Sequence, residues 1–374
     1  MKKYGIGIIG CGRISKTYLT NLTTKFSILQ VIGVADIIEE RCKARAEEFN
    51  VRQMTNEEIY TSDEIDIVVN LTYPLSHHEV TCAALKAGKH VYCEKMMAID
   101  FEQGEEQMAL AKKMGKHLVV APDTFLGAGL QTCRKLIDSG MIGEPRSATA
   151  HIIRGTQQME TFPTNQRMTL LPGGGIPYDM GGYYLSGLIN MLGAIHRVTG
   201  FSKVYDKEFI NVDNPNFGAA VKTDTPNLAV GALEFKSGVV GTFLASSESF
   251  SSPQRLEVHG TEGILHCPDP NTFGGPVYLL RKAARHSEAF EVPLTHGYSV
   301  GCNRGMGVAE LCWSIEKNRT PRLQLGPHDL EAVTAIFGAT EDNKTHIMKT
   351  SPERPAALPS GYVEGPVMET ALAL

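Results

Sequence analysis

Asp179 and Tyr183 stand four residues apart in Tyr178-Asp179-Met180-Gly181-Gly182-Tyr183, which puts a carboxylate and a phenol one turn apart on one face of a helix. Such a pair can bind a hydroxyl and move its proton. Far upstream the apolar run Val91-Tyr92-Cys93 ends in Glu94-Lys95, two charges at the carboxyl end of a strand, where open α/β sheets bind ligands. Burial and a neighbouring cation would push the pKa of such a lysine down and fit it for proton chemistry, although a surface Glu–Lys pair reads the same way. A tyrosine titrates ordinarily at about 10 and needs an adjacent cation to act near neutrality. Lys95 is the candidate to lower it.

A second chemistry is written at the start of the chain. Gly5-Ile6-Gly7-Ile8-Ile9-Gly10-Cys11-Gly12-Arg13-Ile14-Ser15 reads as the strand, turn and helix start that cradle a dinucleotide. Gly10 makes the tight turn, and Gly12 lets the backbone approach a pyrophosphate over the N-terminus of the helix. The third position is Ser15 rather than glycine, so the fingerprint is incomplete. Asp36 ends the next strand about 25 residues on, where a carboxylate accepts from the ribose hydroxyls and favours NAD over NADP. Asp36 would also serve as a helix cap. Arg41 can soften the preference, and NADP is not excluded.

These residues need two supporting sheets. Strands at 29–36, 65–72, 89–95 and 117–121 alternate with helices at 13–24, 38–49, 78–87 and 100–115, a doubly wound parallel sheet that ends near Pro122. His77 and His78 sit next to each other at a helix start and point in different directions, so no metal site is expected.

Residues 129–139 read as a connecting helix, followed by strands at 147–153, 198–210, 228–236, 239–248, 254–260, 263–267 and 277–281. Turns at Lys236-Ser237-Gly238 and Gly260-Thr261-Glu262-Gly263 make that sheet mostly antiparallel and open, in an α+β domain spanning 123–374. Helices at 303–317 and 327–340 close it. Asp179, Tyr183, Ser186 and Asn190 form one polar stripe, expected to face the crevice, with Leu185, Leu188 and Leu192 opposite. Arg154, Glu160, Asn165 and Arg167 precede the helix and are placed to line a pocket. The tail from Ser351 reads as crossing the surface or an interface. The uncovered sheet face calls for a second copy, as a dimer or tetramer.

At 42% hydrophobic and 21% charged residues the chain can bury a sizeable core, and a formal charge of −5 argues against nucleic acid as a partner. No apolar run is long enough for a membrane span or a secretion signal. The eight cysteines are scattered without a CxxC pair, which suits reduced thiols in the cytoplasm.

Gly10-Cys11-Gly12-Arg13-Ile14, Asp36, Thr72-Tyr73-Pro74, His78, Gly88-Lys89-His90-Val91-Tyr92-Cys93-Glu94-Lys95, Gly173-Gly174-Gly175 and Asp179-Met180-Gly181-Gly182-Tyr183 together resemble the glucose–fructose oxidoreductase, inositol dehydrogenase and rhizopine-catabolism (Gfo/Idh/MocA) family over essentially the whole chain. The resemblance implies NAD held by Gly10, Gly12, Arg13, Ile14, Asp36, Arg41, Thr72, Pro74, His78, Glu94 and Lys95. It implies catalysis by Lys95, Asp179 and Tyr183 on a secondary hydroxyl of a sugar, glycoside or inositol, with sugar C3 attractive. A redox-elimination glycosidase and a cofactor-sensing regulator are the rival functions. Where the family has proline after the lysine, this chain has Met96, which leaves the conformation of that bond open.

Overall fold

The computed structural model describes residues 2–155, 173–205, 208–210, 218, 220–222, 225–249, 254–282, 288–361 and 366–374. Glu160, Asn165 and Arg167 lie outside the described residues.

The first sheet holds β1 (Tyr4–Ile9), β2 (Leu29–Ala35), β3 (Arg52–Gln53), β4 (Ile67–Asn70), β5 (His90–Cys93) and β6 (Leu118–Val120), all parallel, in the order β3-β2-β1-β4-β5-β6. Every residue of β1 and β4 is buried, as expected of strands covered by helices on both faces. Those helices are α1 (Arg13–Thr24), α2 (Glu39–Phe49), α3 (Asn56–Thr61), α4 (Pro74–Lys86) and α5 (Phe101–Met114). Local chemistry sets their ends: α3 starts in a reciprocal capping box of Thr55 and Glu58, α4 has Pro74 at its first turn, and the Asp100 side chain accepts from Gln103 N at the head of α5. Strand order reverses between β1 and β4, and a crevice opens at the carboxyl ends of the strands there.

Residues 121–127 and α6 (Ala128–Asp138) lead to the second sheet, built from β7 (Pro145–Gly155), β8 (Ile195–Lys203), β11 (Leu228–Phe235), β12 (Val240–Ser249), β13 (Gln254–Gly260), β14 (Gly263–His266), β15 (Val277–Arg281), β16 (Phe290–Val292) and β17 (His346–Ile347). Its order is β16-β15-β14-β13-β7-β12-β11-β8-β17, and neighbours are antiparallel except β7 with β12. A separate pair, β9 (Glu208–Ile210) and β10 (Ala220–Lys222), is also antiparallel. The expected strand over 198–210 is thus two strands, β8 and β9.

Helix α7 (Gly175–Leu192) packs across β7, β11 and β12, and the residues of α7 other than Asp179 are buried. The polar stripe therefore does not face the crevice along its length. Ser186 Oγ donates to Asp329 Oδ2 at 2.5 Å on α9 (Gly326–Asp342), while the Asn190 side chain is buried in the core. The helix lies over the sheet with α9 against it, so only its first turns reach the crevice.

Helix α8 starts later than expected (Met306–Glu316), leaving 301–305 as a loop. The tail does more than cross a surface, because α10 (Pro366–Ala373) docks on the first domain through the buried Glu369. Its carboxylate accepts from Ser27 N and Oγ at 2.7 and 2.6 Å and from Ile28 N at 2.8 Å. One turn further along the same helix, Arg319 donates to Leu372 O.

Candidate active site

The glycine turn leaves β1 at Ile9. Gly10 has φ +106°, and a Cβ there would stand 2.6 Å from the Leu71 backbone, so a side chain is excluded twice over. A Cβ on Gly12 would meet nothing within 4 Å. Gly12 is also the N-cap of α1, with no side chain capping that end and no acidic residue in its first turn. An open approach over uncapped N–H groups fits a pyrophosphate. Ser15 fills the third position without disturbing this: it is fully buried, donates to Gly12 O at 2.6 Å and accepts from Arg45 Nε at 3.1 Å.

Asp36 is tied to the same turn. Its carboxylate accepts from Cys11 N at 2.6 Å and from Ile38 N at 2.8 Å, while the cap position of α2 belongs to Ile38. Arg13 and Arg41 are exposed, and Ile14 is half-buried. Just past β4, Thr72 donates its hydroxyl to Asn70 Oδ1 at 2.7 Å, before Pro74 opens α4. His78 meets Glu106 of α5 at 2.9 Å. His77 joins two crevice loops, its ring nitrogens 3.0 Å from Thr72 O and 2.7 Å from Met96 O. Burial lowers the His77 pKa although both carbonyls favour the protonated ring. The Lys95–Met96 peptide is cis. Among the described residues no group of three or more His, Cys, Asp or Glu is placed to hold a metal ion.

Glu94 is buried at the end of β5, accepting from Tyr18 Oη at 2.6 Å and from Lys95 N at 3.2 Å. Lys95 reaches the other way. Its Nζ donates to Asp179 Oδ1 at 2.7 Å and to Asp179 O at 2.6 Å, and stands 5.2 Å from the Tyr183 ring centroid. Residues that the sequence separates by 84 positions thus form one cluster. Burial opposes the Lys95 charge, but Asp179, with Tyr183 and Glu94 behind it, outweighs burial and raises the pKa. This corrects the expected downward shift: the sequence shows the burial but not the carboxylate. Asp179 is likewise pushed up by burial and pulled below its ordinary range by Lys95, with help from Arg154 and Arg13. Tyr183 is raised, because burial exceeds the lowering by Lys95 and Arg304. Lys95 acts in the expected direction and does not by itself prevail.

Arg304 and Asn271 are the residues that sequence reasoning missed. Arg304 Nη2 donates to Tyr183 Oη at 2.7 Å and to Asn271 Oδ1 at 2.6 Å. The available signal was an arginine in the glycine-flanked run Gly301-Cys302-Asn303-Arg304-Gly305-Met306-Gly307, which the expected helix over 303–317 absorbed. Arg154 of β7 lies against Gln254, whose amide oxygen accepts from the guanidinium.

A glycine turn over an uncapped helix, on a β3-β2-β1-β4-β5-β6 sheet, faces a lysine, carboxylate and phenol cluster across the crevice; this defines a nicotinamide-dependent oxidoreductase. Residues 4–121 match the family described as "Oxidoreductase family, NAD-binding Rossmann fold", and residues 130–266 match the "GFO/IDH/MocA C-terminal domain". The chain belongs to the Gfo/Idh/MocA family and is an NAD-binding oxidoreductase. It is 30% identical to inositol 2-dehydrogenase 3 of Saccharopolyspora erythraea over 77% of this chain and 82% of that one. Identity to myo-inositol 2-dehydrogenase of Thermotoga maritima is 25% over 70% and 74%. The fold matches that of levoglucosan dehydrogenase in complex with NADH and L-sorbose, with a TM-score of 0.79, 18% identity and coverage of 94% of this chain and all (100%) of that one.

Proposed function

We propose that this chain oxidises a secondary hydroxyl of a sugar, glycoside or inositol, with sugar C3 as the favoured position on a glycoside. The observation that carries the reading is the placement of Lys95 Nζ, 2.7 Å from Asp179 Oδ1 and 5.2 Å from the Tyr183 ring centroid, at the carboxyl end of β5. NAD, when bound, supplies the hydride acceptor. Gly10, Gly12, Arg13 and Ile14 would hold its pyrophosphate, Asp36 and Arg41 its ribose side, and Thr72, Pro74 and Glu94 the approach to the nicotinamide. His78 supports that wall from its pair with Glu106.

The Lys95 ammonium has three N–H groups, and two are engaged by Asp179. The third holds the substrate oxygen. Asp179 keeps the lysine in place, and Tyr183, or Lys95 once it has given up that third proton, takes the hydroxyl proton. Relatives named as inositol dehydrogenases support a polyhydroxylated ring as substrate.

The outer face of the second sheet exposes Phe201, Val230, Val240 and Ile347, with Phe201 and Val230 paired across β8 and β11. A second copy of the chain covers this face in a cytoplasmic homo-oligomer.

Incubation with NAD and a panel of free sugars, glycosides and inositols, followed at 340 nm with product analysis, tests the reading. Stoichiometric NADH and a keto-product are expected. Aglycone release without NADH would replace it with a redox-elimination glycosidase, and NAD binding without turnover with a cofactor-sensing regulator.

A further inference from the structure

Tyr183 is gripped from outside its own helix. Besides the hydrogen bond from Arg304 Nη2 at 2.7 Å, the Arg304 guanidinium carbon stands 5.6 Å from the phenol centroid, and Lys95 Nζ stands 5.2 Å from it. Two cations therefore lie within range of one ring. A guanidinium has donors only and stays charged, so the phenol oxygen must accept from Arg304 and its own proton must face elsewhere.

The loop that presents Arg304 is held from both domains. Asn21 of α1 donates to Cys302 O at 3.0 Å and to Arg304 O at 2.8 Å. The buried Asp123 carboxylate accepts from Gly305 N and Gly307 N at 2.8 and 3.0 Å. Asn271 takes the second bond from Nη2 and fixes the plane of the guanidinium. A surface arginine would have none of this support.

We propose that Arg304 is the positioning residue that makes Tyr183, rather than Lys95, the proton acceptor, by stabilising the phenolate and turning its free lone pair toward the substrate hydroxyl. The proposal rests on the dehydrogenase reading above. Lys95 remains an ammonium, because the Asp179 carboxylate 2.7 Å from Nζ favours the charged form strongly enough to outweigh burial. The phenol first releases its proton to solvent. The substrate O–H bond then breaks and its proton forms a bond to Tyr183 Oη, while the electron pair of the adjacent C–H bond leaves as hydride to NAD. The carbinol carbon is oxidised to a ketone, NAD is reduced, and the proton on Tyr183 passes to solvent. Burial opposes the phenolate most; of the charged groups that face Tyr183, Lys95 after β5 and Arg304 before α8 favour it, and Glu94 and Asp179 on α7 itself oppose it.

The test compares Arg304→Met and Arg304→Lys with the parent protein. An ultraviolet difference titration without substrate, with Tyr183→Phe as the blank, reads the phenol alone. Arg304→Met should raise that titration by about one to three pH units, and Arg304→Lys by less. The acid limb of the pH profile of kcat/KM should move with it, and at pH values below the limb the rate should fall about tenfold for each pH unit that the limb moves. Circular dichroism and NAD affinity confirm that both variants fold. An unmoved titration in folded Arg304→Met overturns the proposal, and so does a wild-type acid limb in Tyr183→Phe, which would put the proton on Lys95. Because the titration needs no substrate, failure to oxidise any sugar would remove the proposed function and leave this measurement interpretable.

Discussion

The Lys95 ammonium stands 2.7 Å from the Asp179 carboxylate and 2.6 Å from the Asp179 carbonyl, so a cation at the end of a first-domain strand is tethered by a second-domain helix. Asp179→Ala removes the charged tether and with it the main support of the Lys95 ammonium, so the Lys95 pKa falls, with burial opposing the charge and only Tyr183 and Glu94 left to favour it. The expected result is a fall in kcat/KM of roughly 10²- to 10⁴-fold with NAD affinity unchanged, and Asp179→Asn falling between. Steady-state kinetics beside an NAD titration check it; equal loss of both would assign Asp179 to holding the domains together instead.

Asp36 has two partners besides any ribose, Cys11 N and Ile38 N. Asp36→Ser should therefore weaken both NAD and NADP by loosening the turn, but NAD by more, because the repulsion of a 2′-phosphate goes with the carboxylate. The ratio of the two dissociation constants should move toward NADP by about tenfold, near 1.4 kcal/mol. Fluorescence titration with NADH and NADPH measures it, and an unchanged ratio would confine Asp36 to shaping the turn.

His328 sets a pH limit on the fold. Its Nε2 accepts from Ile195 N at 2.9 Å and its Nδ1 lies 2.7 Å from Thr350 Oγ1, an arrangement that needs the neutral ring. Burial lowers its pKa to about 4 from 6.5. The unfolded chain binds the proton first, so the contribution of His328 is complete above pH 6.5 and is lost as pH falls toward 4, about 3 kcal/mol in all. Urea melts between pH 7 and pH 4 should show the slope, and His328→Gln should lower stability at pH 7 while flattening it. His90, also lowered to about 4 by burial, contributes a slope of the same sign.

Glu369 is 2% exposed and satisfies Ser27 N, Ser27 Oγ and Ile28 N. Glu369→Ala leaves those donors unpaired under α10, at a cost of about 1–3 kcal/mol for each buried group that water does not reach. Thermal melts should show a Tm lower by several degrees, and limited proteolysis should cut the tail first. A variant with an unchanged Tm would mean that water replaces the carboxylate.

Much of the cofactor half was legible because its signals are local. Gly10 and Gly12 announce a turn, Leu29–Ala35 and Ile67–Asn70 are apolar runs of strand length, and the helix over 13–24 has the range that its apolar spacing implies. In the second half, strands such as Leu228–Phe235 alternate and are joined by short glycine turns, so they too could be read. Ser186 and Asn190 were misread for a reason of scale. Helical periodicity tells which residues share a face, but what that face meets depends on α9, which lies more than a hundred residues further along the chain.

By itself the sequence determined the two sheets, the dinucleotide turn and the presence of Lys95, Asp179 and Tyr183, because strand runs, turns and i to i+4 spacing are written in neighbouring residues. Tertiary structure alone decided how those groups are charged and what completes them. Arg304 meets Tyr183 across 121 residues, and Lys95 is raised rather than lowered because a carboxylate from another domain arrives beside it. Both effects are set by the distance between charges in a buried space, and spacing along the chain carries no information about that distance.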